Sequence, residues 1–398
     1  MWIFSGLFQA AVVTVLNLRT LPNRLASSGV AVVGMAGVVA VLVSILSIAE
    51  GIKAMMANTG SPDTAIVMRT GSDSEMTSIL LNDDIVVVKD APEIARASDI
   101  GPLASAELFV GVDLVKASTG TTANASLRGV EPAAFKIRNF KMVSGRLFGT
   151  GRNELIVGRS AAGEYRGLAV GSELKLGQNV WTIVGIFDAG GTVPDSELWC
   201  DAGVLAPLYR RGNSRQTVFV RLTSPEAFTA FKDRLTADPR VKLKVMREQE
   251  YYAGQAETLS KTIVVIGSII GLLMGIGALF VAVITMYSAV ASRTREIATL
   301  RALGFRGGPV VLSVLVESMI LAVVGGGLGA AVAYFGFNGY EAATMNWSNM
   351  SSIAFAFRVT PALLLLGVGW ALVLGLFGGL FPAIRAMRLP IVTALREL

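Results

Sequence analysis

The side chains that usually carry catalysis are almost missing from this chain. Histidine does not occur among its 398 residues, which removes the commonest general base, metal ligand and triad partner together. A single cysteine, Cys200, leaves no internal disulfide and no thiolate metal cluster. No stretch fits G-x-x-x-x-G-K-S/T, so these residues hold no loop that cradles nucleotide phosphates. Gly158-Arg-Ser160-Ala-Ala-Gly163 faintly resembles a nucleophile elbow, but the spacing is wrong and no imidazole could activate the serine. The expectation is a protein with no catalytic residue, no bound metal and no cofactor of its own.

Two other features could do physical work. The first is Ser292-Arg-Thr-Arg-Glu-Ile-Ala-Thr-Leu-Arg-Ala-Leu-Gly-Phe305. Ile297, Leu300 and Leu303 recur at helical spacing while Arg295, Glu296 and Arg301 face elsewhere, which predicts a short amphipathic helix ended by Gly304. The second is Glu317, the only ionisable residue deep inside an apolar run. A charge at the bilayer centre costs about 2.5–3.5 kcal/mol on insertion scales. Glu317 lies about two turns from the end of its run. Its readings are a carboxylate bonded to a neighbouring helix or to the arginines of the 293–308 segment, and a proton relay.

Four apolar runs position these features. Residues 29–49 are uncharged and would span about 31 Å as a helix, matching a hydrocarbon core of about 30 Å. Residues 262–292 are also uncharged, residues 310–337 are broken only by Glu317, and residues 359–384 complete the set. The second run would reach about 46 Å, more than a bilayer needs. We read TM1 as 29–50, TM2 with a stalk as 261–292, TM3 as 309–337 and TM4 as 359–384. A cytoplasmic coupling segment lies at 293–308, a short extracytoplasmic loop at 338–358 and a cytoplasmic tail at 385–398. Residues 1–28 carry an apolar helical face formed by Phe4, Leu7, Phe8, Ala11, Val15 and Leu18. That pattern suits an interfacial helix on the inner leaflet, with a fifth span as the alternative.

Charge distribution sets the orientation. The net charge is +6, yet residues 51–260 contain 24 Lys/Arg against 24 Asp/Glu. The excess falls beside the spans, in Arg19, Arg24, Arg293, Arg295, Arg301, Arg306, Arg385, Arg388 and Arg396, opposed only by Glu296 and Glu397. This is the positive-inside pattern. It predicts cytoplasmic termini and an extracytoplasmic 51–260, and leaves nothing for nucleic acid to bind. Within 51–260, residues 64–69 and 106–115 read as strands. Residues 217–222, 224–238 and 241–246 read strand, helix, strand, with Ser224 as N-cap and Pro225 as first helical residue. Residues 126–209 are glycine-rich with short strand signals at 154–157 and 180–187. The fold class is therefore an α-helical membrane protein with four transmembrane helices and an extracytoplasmic α/β domain carrying a β-rich insertion. Residues 249–261 hold no strong breaker and should run straight into the second span.

The 292–305 segment resembles the R-x-x-E-I-x-x-L-R-A-I/L-G signature of MacB-like, FtsX-type ABC transporter permeases. The likeness covers the whole chain: one span, a large outer domain, three more spans, with Tyr251-Tyr-Ala-Gly-Gln255 entering the second span and Leu389-Pro-Ile-Val-Thr-Ala-Leu-Arg396 closing the tail. The resemblance implies that Arg295, Glu296, Ile297, Leu300, Arg301, Leu303 and Gly304 form a coupling helix seated on an ABC ATPase subunit. That subunit would hold ATP and Mg. It also implies a homodimer of permeases in the bacterial inner membrane, with a periplasmic adaptor protein as a further partner near residues 126–209. The macrolide exporter carries its ATPase fused at the N-terminus, so here the expectation is a partner polypeptide.

The spans offer one carboxylate and otherwise chiefly glycine, alanine and aliphatics, too little polarity to line a conduit. Substrate is therefore not expected to pass through the helix bundle, and with this the resemblance implies export of a hydrophobic or amphipathic substrate on the periplasmic side, by mechanotransmission from a separate ATPase. Two alternatives stand beside it: a division-type regulator of cell-wall hydrolases and a lipoprotein-extraction permease. The regulators usually have a smaller outer domain than this one.

Overall fold

The computed structural model describes residues 9, 13–15, 25–305, 307–346 and 349–388. Most of the expected N-terminal helix and all of the 389–398 tail, with Arg19, Arg24, Arg306, Arg396 and Glu397, lie outside them. Residues 9 and 13–15 are helical. The chain divides into two compact units: a helical bundle, and a head domain made of Gly51–Ser260 with Glu341–Ala356.

Beyond residue 24, ten α-helices occur among the described residues: α1 (Leu25–Ala57), α2 (Asn82–Lys89), α3 (Ala134–Ile137), α4 (Arg159–Glu164), α5 (Ala202–Leu208), α6 (Ala227–Ala237), α7 (Glu248–Ala291), α8 (Thr294–Ala302), α9 (Gly307–Phe337) and α10 (Pro361–Arg388). Four of them, α1, α7, α9 and α10, are long and apolar enough to cross a membrane. Helix α7 is 44 residues without interruption, because no proline falls between Glu248 and Ala291 and its glycines remain helical.

Close backbone approach between helices contributes to the packing of the bundle. On α9, Gly325 and Gly329 face α1, where an added Cβ at Gly325 would lie 2.8 Å from the Val32 carbonyl oxygen. Ala322 and Gly326 of the same helix face α10, meeting Gly375 and Ala371. Small residues four apart thus give α9 two contact seams, the arrangement by which helices associate in lipid. Buried serines in the spans bond to their own helices: Ser44 Oγ donates to the Ala40 carbonyl at 2.6 Å and Ser318 Oγ to the Leu315 carbonyl at 2.8 Å. Their hydroxyls are satisfied locally and offer little to a passing solute.

The head is built on strands β1 (Thr64–Arg69), β2 (Arg96–Ala97), β3 (Gly101–Pro102), β4 (Ala104–Val115), β5 (Thr122–Val130), β6 (Lys141–Gly145), β7 (Glu154–Gly158), β8 (Glu173–Leu176), β9 (Asn179–Asp188), β10 (Glu197–Asp201), β11 (Thr217–Arg221), β12 (Leu243–Arg247), β13 (Glu341–Asn346) and β14 (Ser351–Ala356). Ten strands form one sheet in the order β12-β1-β11-β4-β5-β10-β7-β9-β6, with β8 on β9. Strand β4 serves two lobes: residues 104–107 pair with β11 and residues 108–115 with β5. The β-rich lobe therefore continues the platform sheet, and its core begins at Leu108 rather than near Ser126.

In the platform, β11, α6 and β12 form a crossover whose two strands flank β1 antiparallel. Helix α6 turns Phe228, Phe231 and Leu235 onto that sheet, an apolar stripe at helical period. It starts later than the sequence suggests. Ser224 and Pro225 form a turn, with the amides of Ala227 and Phe228 donating to their carbonyls, and Glu226 occupies the N-cap without a side-chain cap bond. One further expectation changes. Residues 338–358 are more than a loop, since β13 and β14 form an antiparallel hairpin that packs on the head. The amide of Ala354 donates to Ser196 Oγ at 2.9 Å and Asn346 Nδ2 to Gln255 Oε1 at 2.9 Å. Cys200 is a core residue of β10 and fully buried.

Candidate functional site

Helix α8 is the short amphipathic element that the arginine-rich segment implied, and both its ends are sharply defined. Arg293 occupies the N-cap, and its carbonyl accepts from the Ile297 amide at 3.0 Å. The helix ends where Gly304 adopts φ +96°. The Gly304 amide donates to the Arg301 carbonyl and the Phe305 amide to the Leu300 carbonyl, both at 3.1 Å. These bonds satisfy the last carbonyls and need a residue free to take a left-handed conformation.

Arg293 does more than cap. Its Nη1 donates to Glu317 Oε2 at 3.0 Å and its Nη2 to Glu317 Oε1 at 2.9 Å. Both side chains are only 4% exposed. A guanidinium fork on a carboxylate fixes direction as well as distance, so the first turn of α8 is clamped onto α9. The pair forms part of the wall of a cavity of about 430 Å³, with Met286 and Val290 of α7, Leu300 of α8 and Val314 of α9.

The remaining residues of the segment divide between two faces. Ile297 and Ala298 are buried in the bundle core, Leu300 and Arg301 are half-buried, and Arg295 and Glu296 are exposed. Leu303 is 73% exposed. It does not continue the stripe of Ile297 and Leu300, because the helix stops at Ala302 and Leu303 occupies the C-cap. The expected bond from Glu317 to an arginine of the 293–308 segment is present, and its partner is Arg293, which stands outside the residues assigned to the coupling helix. The signal was present: a lone carboxylate inside a span requires a partner, and Arg293 is the first charged residue after the second apolar run. The Gly158–Gly163 stretch does sit at a strand-to-helix turn, between β7 and α4, but no histidine exists to serve it. Among the described residues no acidic, cysteine or histidine cluster could hold a metal ion.

Four span-length helices, a large α/β head and a short helix clamped to the bundle are the parts of a multi-pass permease. Residues 28–238 match the MacB-like periplasmic core domain, and residues 262–391 match the FtsX-like permease C-terminal domain. The chain belongs to the MacB-like, FtsX-type family of ABC transporter permeases, which are multi-pass proteins of the inner membrane. It is 23% identical over 96% of its length to a macrolide export ATP-binding/permease protein MacB of Bdellovibrio bacteriovorus, and spans 61% of that protein. It is 31% identical over 38% of its length to the ABC transporter permease YknZ of Bacillus subtilis, covering 36% of that relative. Among solved structures it is similar to the periplasmic region of MacB from Actinobacillus actinomycetemcomitans, at 15% identity and a TM-score of 0.36. That likeness covers 50% of this chain and 92% of that one.

Proposed function

We propose that this chain is the membrane subunit of an ABC transporter that moves a hydrophobic or amphipathic substrate on the outer side of the membrane. ATP is hydrolysed on a separate ATPase subunit, which seats on α8. Support for a separate ATPase comes from the permease-only name of the Bacillus relative. The observation that carries the reading is the Arg293–Glu317 clamp. It fastens a short helix with exposed Arg295, Glu296 and Leu303 to a spanning helix, so that a push on α8 would be felt by α9.

The positive-inside distribution supports a cytoplasmic α8 and cytoplasmic termini. The unbroken α7 supports transmission of force out of the bilayer without a channel through the spans, and the satisfied span serines fit that route. Permeases of this kind would act as a homodimer with two ATPases, and a periplasmic adaptor would dock on the head.

The test is co-purification of the full chain with its co-encoded ATPase. Leu303→Asp and Arg295→Glu alter exposed positions, so the permease should still fold. Each should weaken association at least tenfold and remove the permease's effect on ATPase activity. Full association and unchanged activity in both variants would refute the seat.

A further inference from the structure

The head domain buries six charged side chains against one another. Glu75, Glu107, Arg128, Arg138, Glu197 and Glu248 are each no more than 8% exposed. They come from separate places: the 3-10 turn Glu75–Thr77, β4, β5, the residue after α3, β10 and the first residue of α7. That first stretch of α7, up to Ser260, belongs to the head. Arg128 is the hub. Its Nε and Nη2 donate to Glu197 at 2.9 and 2.7 Å, and its Nη1 and Nη2 donate to Glu75 at 2.6 and 3.1 Å. Its Nη1 also donates to Glu107 at 3.1 Å, so all five guanidinium hydrogens are engaged. The rings of Phe109 and Phe219 lie 5.1 and 5.4 Å from its central carbon. Arg138 forks onto Glu107 at 2.6 and 2.8 Å.

The charges do not balance. Two guanidinium groups face four carboxyl groups, which would leave two negative charges uncompensated on side chains that are almost fully buried. An unpaired buried charge is strongly unfavourable, and the usual escape is to bind a proton. The four carboxyls are unequally served. Glu107 has a fork of its own, and Glu197 also accepts from Trp199 Nε1 at 2.7 Å. Glu75 shares Arg128 with two other carboxyls and besides accepts only from Thr217 Oγ1, at 3.5 Å, among the described residues. Glu248 sits in the wall of a polar pocket of about 110 Å³, with Asn58, Thr59, Ser61, Thr64 and Arg138. Asn58 is exposed, which gives water a way in.

We propose that this cluster is a proton-binding site of the head domain, holding two protons at neutral pH that reside chiefly on Glu75 and Glu248. The remaining ionisable neighbours are Tyr251 and Tyr252 of α7. Tyr251 Oη accepts from the Glu75 amide at 3.2 Å, and burial pushes both phenols upward, so they stay neutral. Burial also pushes the carboxyls of Glu75 and Glu248 above the ordinary range, with Arg128 and Arg138 respectively opposing it. At Glu197 burial acts in the same direction, but the charge and hydrogen bonds of Arg128 outweigh it and hold that carboxyl low.

The sign of the pH dependence follows. Unfolded glutamate titrates near about 4.3, so at higher pH the folded head binds more protons than the unfolded chain. The contribution of Glu75 and Glu248 to stability is fully present below that unfolded value and is lost as pH rises from it through their folded-state values. Glu197 acts oppositely, and its contribution is lost as pH falls through its depressed value.

Infrared spectroscopy of the full chain in lipid nanodiscs tests the proposal. At neutral pH the carbonyl band of a protonated carboxylic acid should be present, and carbon-13 labelling of glutamate should move it. Glu75→Gln and Glu248→Gln should each remove part of the band and flatten the fall in head stability between neutral and alkaline pH. Absence of a glutamate-derived band in the unsubstituted protein would overturn the proposal without any variant having to fold. So would a band that both substitutions leave at full intensity.

Discussion

At the scale of single residues, the bidentate pair of Arg293 and Glu317 is where the bundle is most exposed to damage. Removing either partner leaves the other buried and uncompensated, at a cost of about 3–5 kcal/mol. Glu317→Ala and Arg293→Ala should therefore both lower the melting temperature of the full chain in detergent. Arg293→Lys should not rescue, because an ammonium cannot reproduce the two parallel bonds of the fork. Replacing both with apolar residues of similar volume, Arg293→Met with Glu317→Leu, should restore most of the stability. The double variant separates stability from coupling: if the clamp transmits force, its complex hydrolyses ATP but does not transport. Transport at the unsubstituted rate would show that the pair is structural only.

Among the elements, α9 is packed too closely in places to admit a methyl group. Its Gly329 lies so close to α1 that a methyl group would run into the Ala36 carbonyl oxygen and lie 2.8 Å from Val39 Cβ. Backbone atoms cannot move aside as a side-chain tip can. Gly329→Ala should cost about 1–3 kcal/mol, the usual penalty for overpacking. Gly34 on α1 makes a matched control, since an added Cβ there meets nothing within 4 Å. Gly34→Ala should be neutral or slightly stabilising, because alanine is the better helix former. Thermal unfolding of the two variants in the same detergent checks the contrast, and equal melting temperatures would count against the α9–α1 seam.

For the molecule as a whole, the decisive property is which side of the membrane each unit occupies. Cys200 makes this measurable. It is fully buried in β10, and burial pushes its thiol well above the usual range, so it should stay silent towards thiol reagents in the folded protein. Asp73→Cys places a reporter on the head at a side chain that is 100% exposed, and Ala302→Cys places one at the exposed end of α8. A membrane-impermeant maleimide applied to intact cells, with the outer membrane made leaky, should label the first and not the second. Labelling of the second should require opening the inner membrane. The reverse pattern would invert the proposed topology.

Much of this architecture was legible in the sequence. The four spans follow from apolar runs matched to bilayer thickness, several strands of the head from short strand signals, and the end of α8 from one glycine that must take a positive φ. These are local properties, written in the residues that display them. The tertiary structure decided the rest: that Arg293 reaches Glu317, that residues 341–356 form a hairpin belonging to the head, and that β4 carries one sheet through two lobes. It also brought Glu75 and Glu248 onto the same buried pair of arginines. Periodicity states which way a side chain faces, but burial of a charge is settled by whichever partner the folded chain brings within hydrogen-bonding distance, however far away in sequence that partner lies.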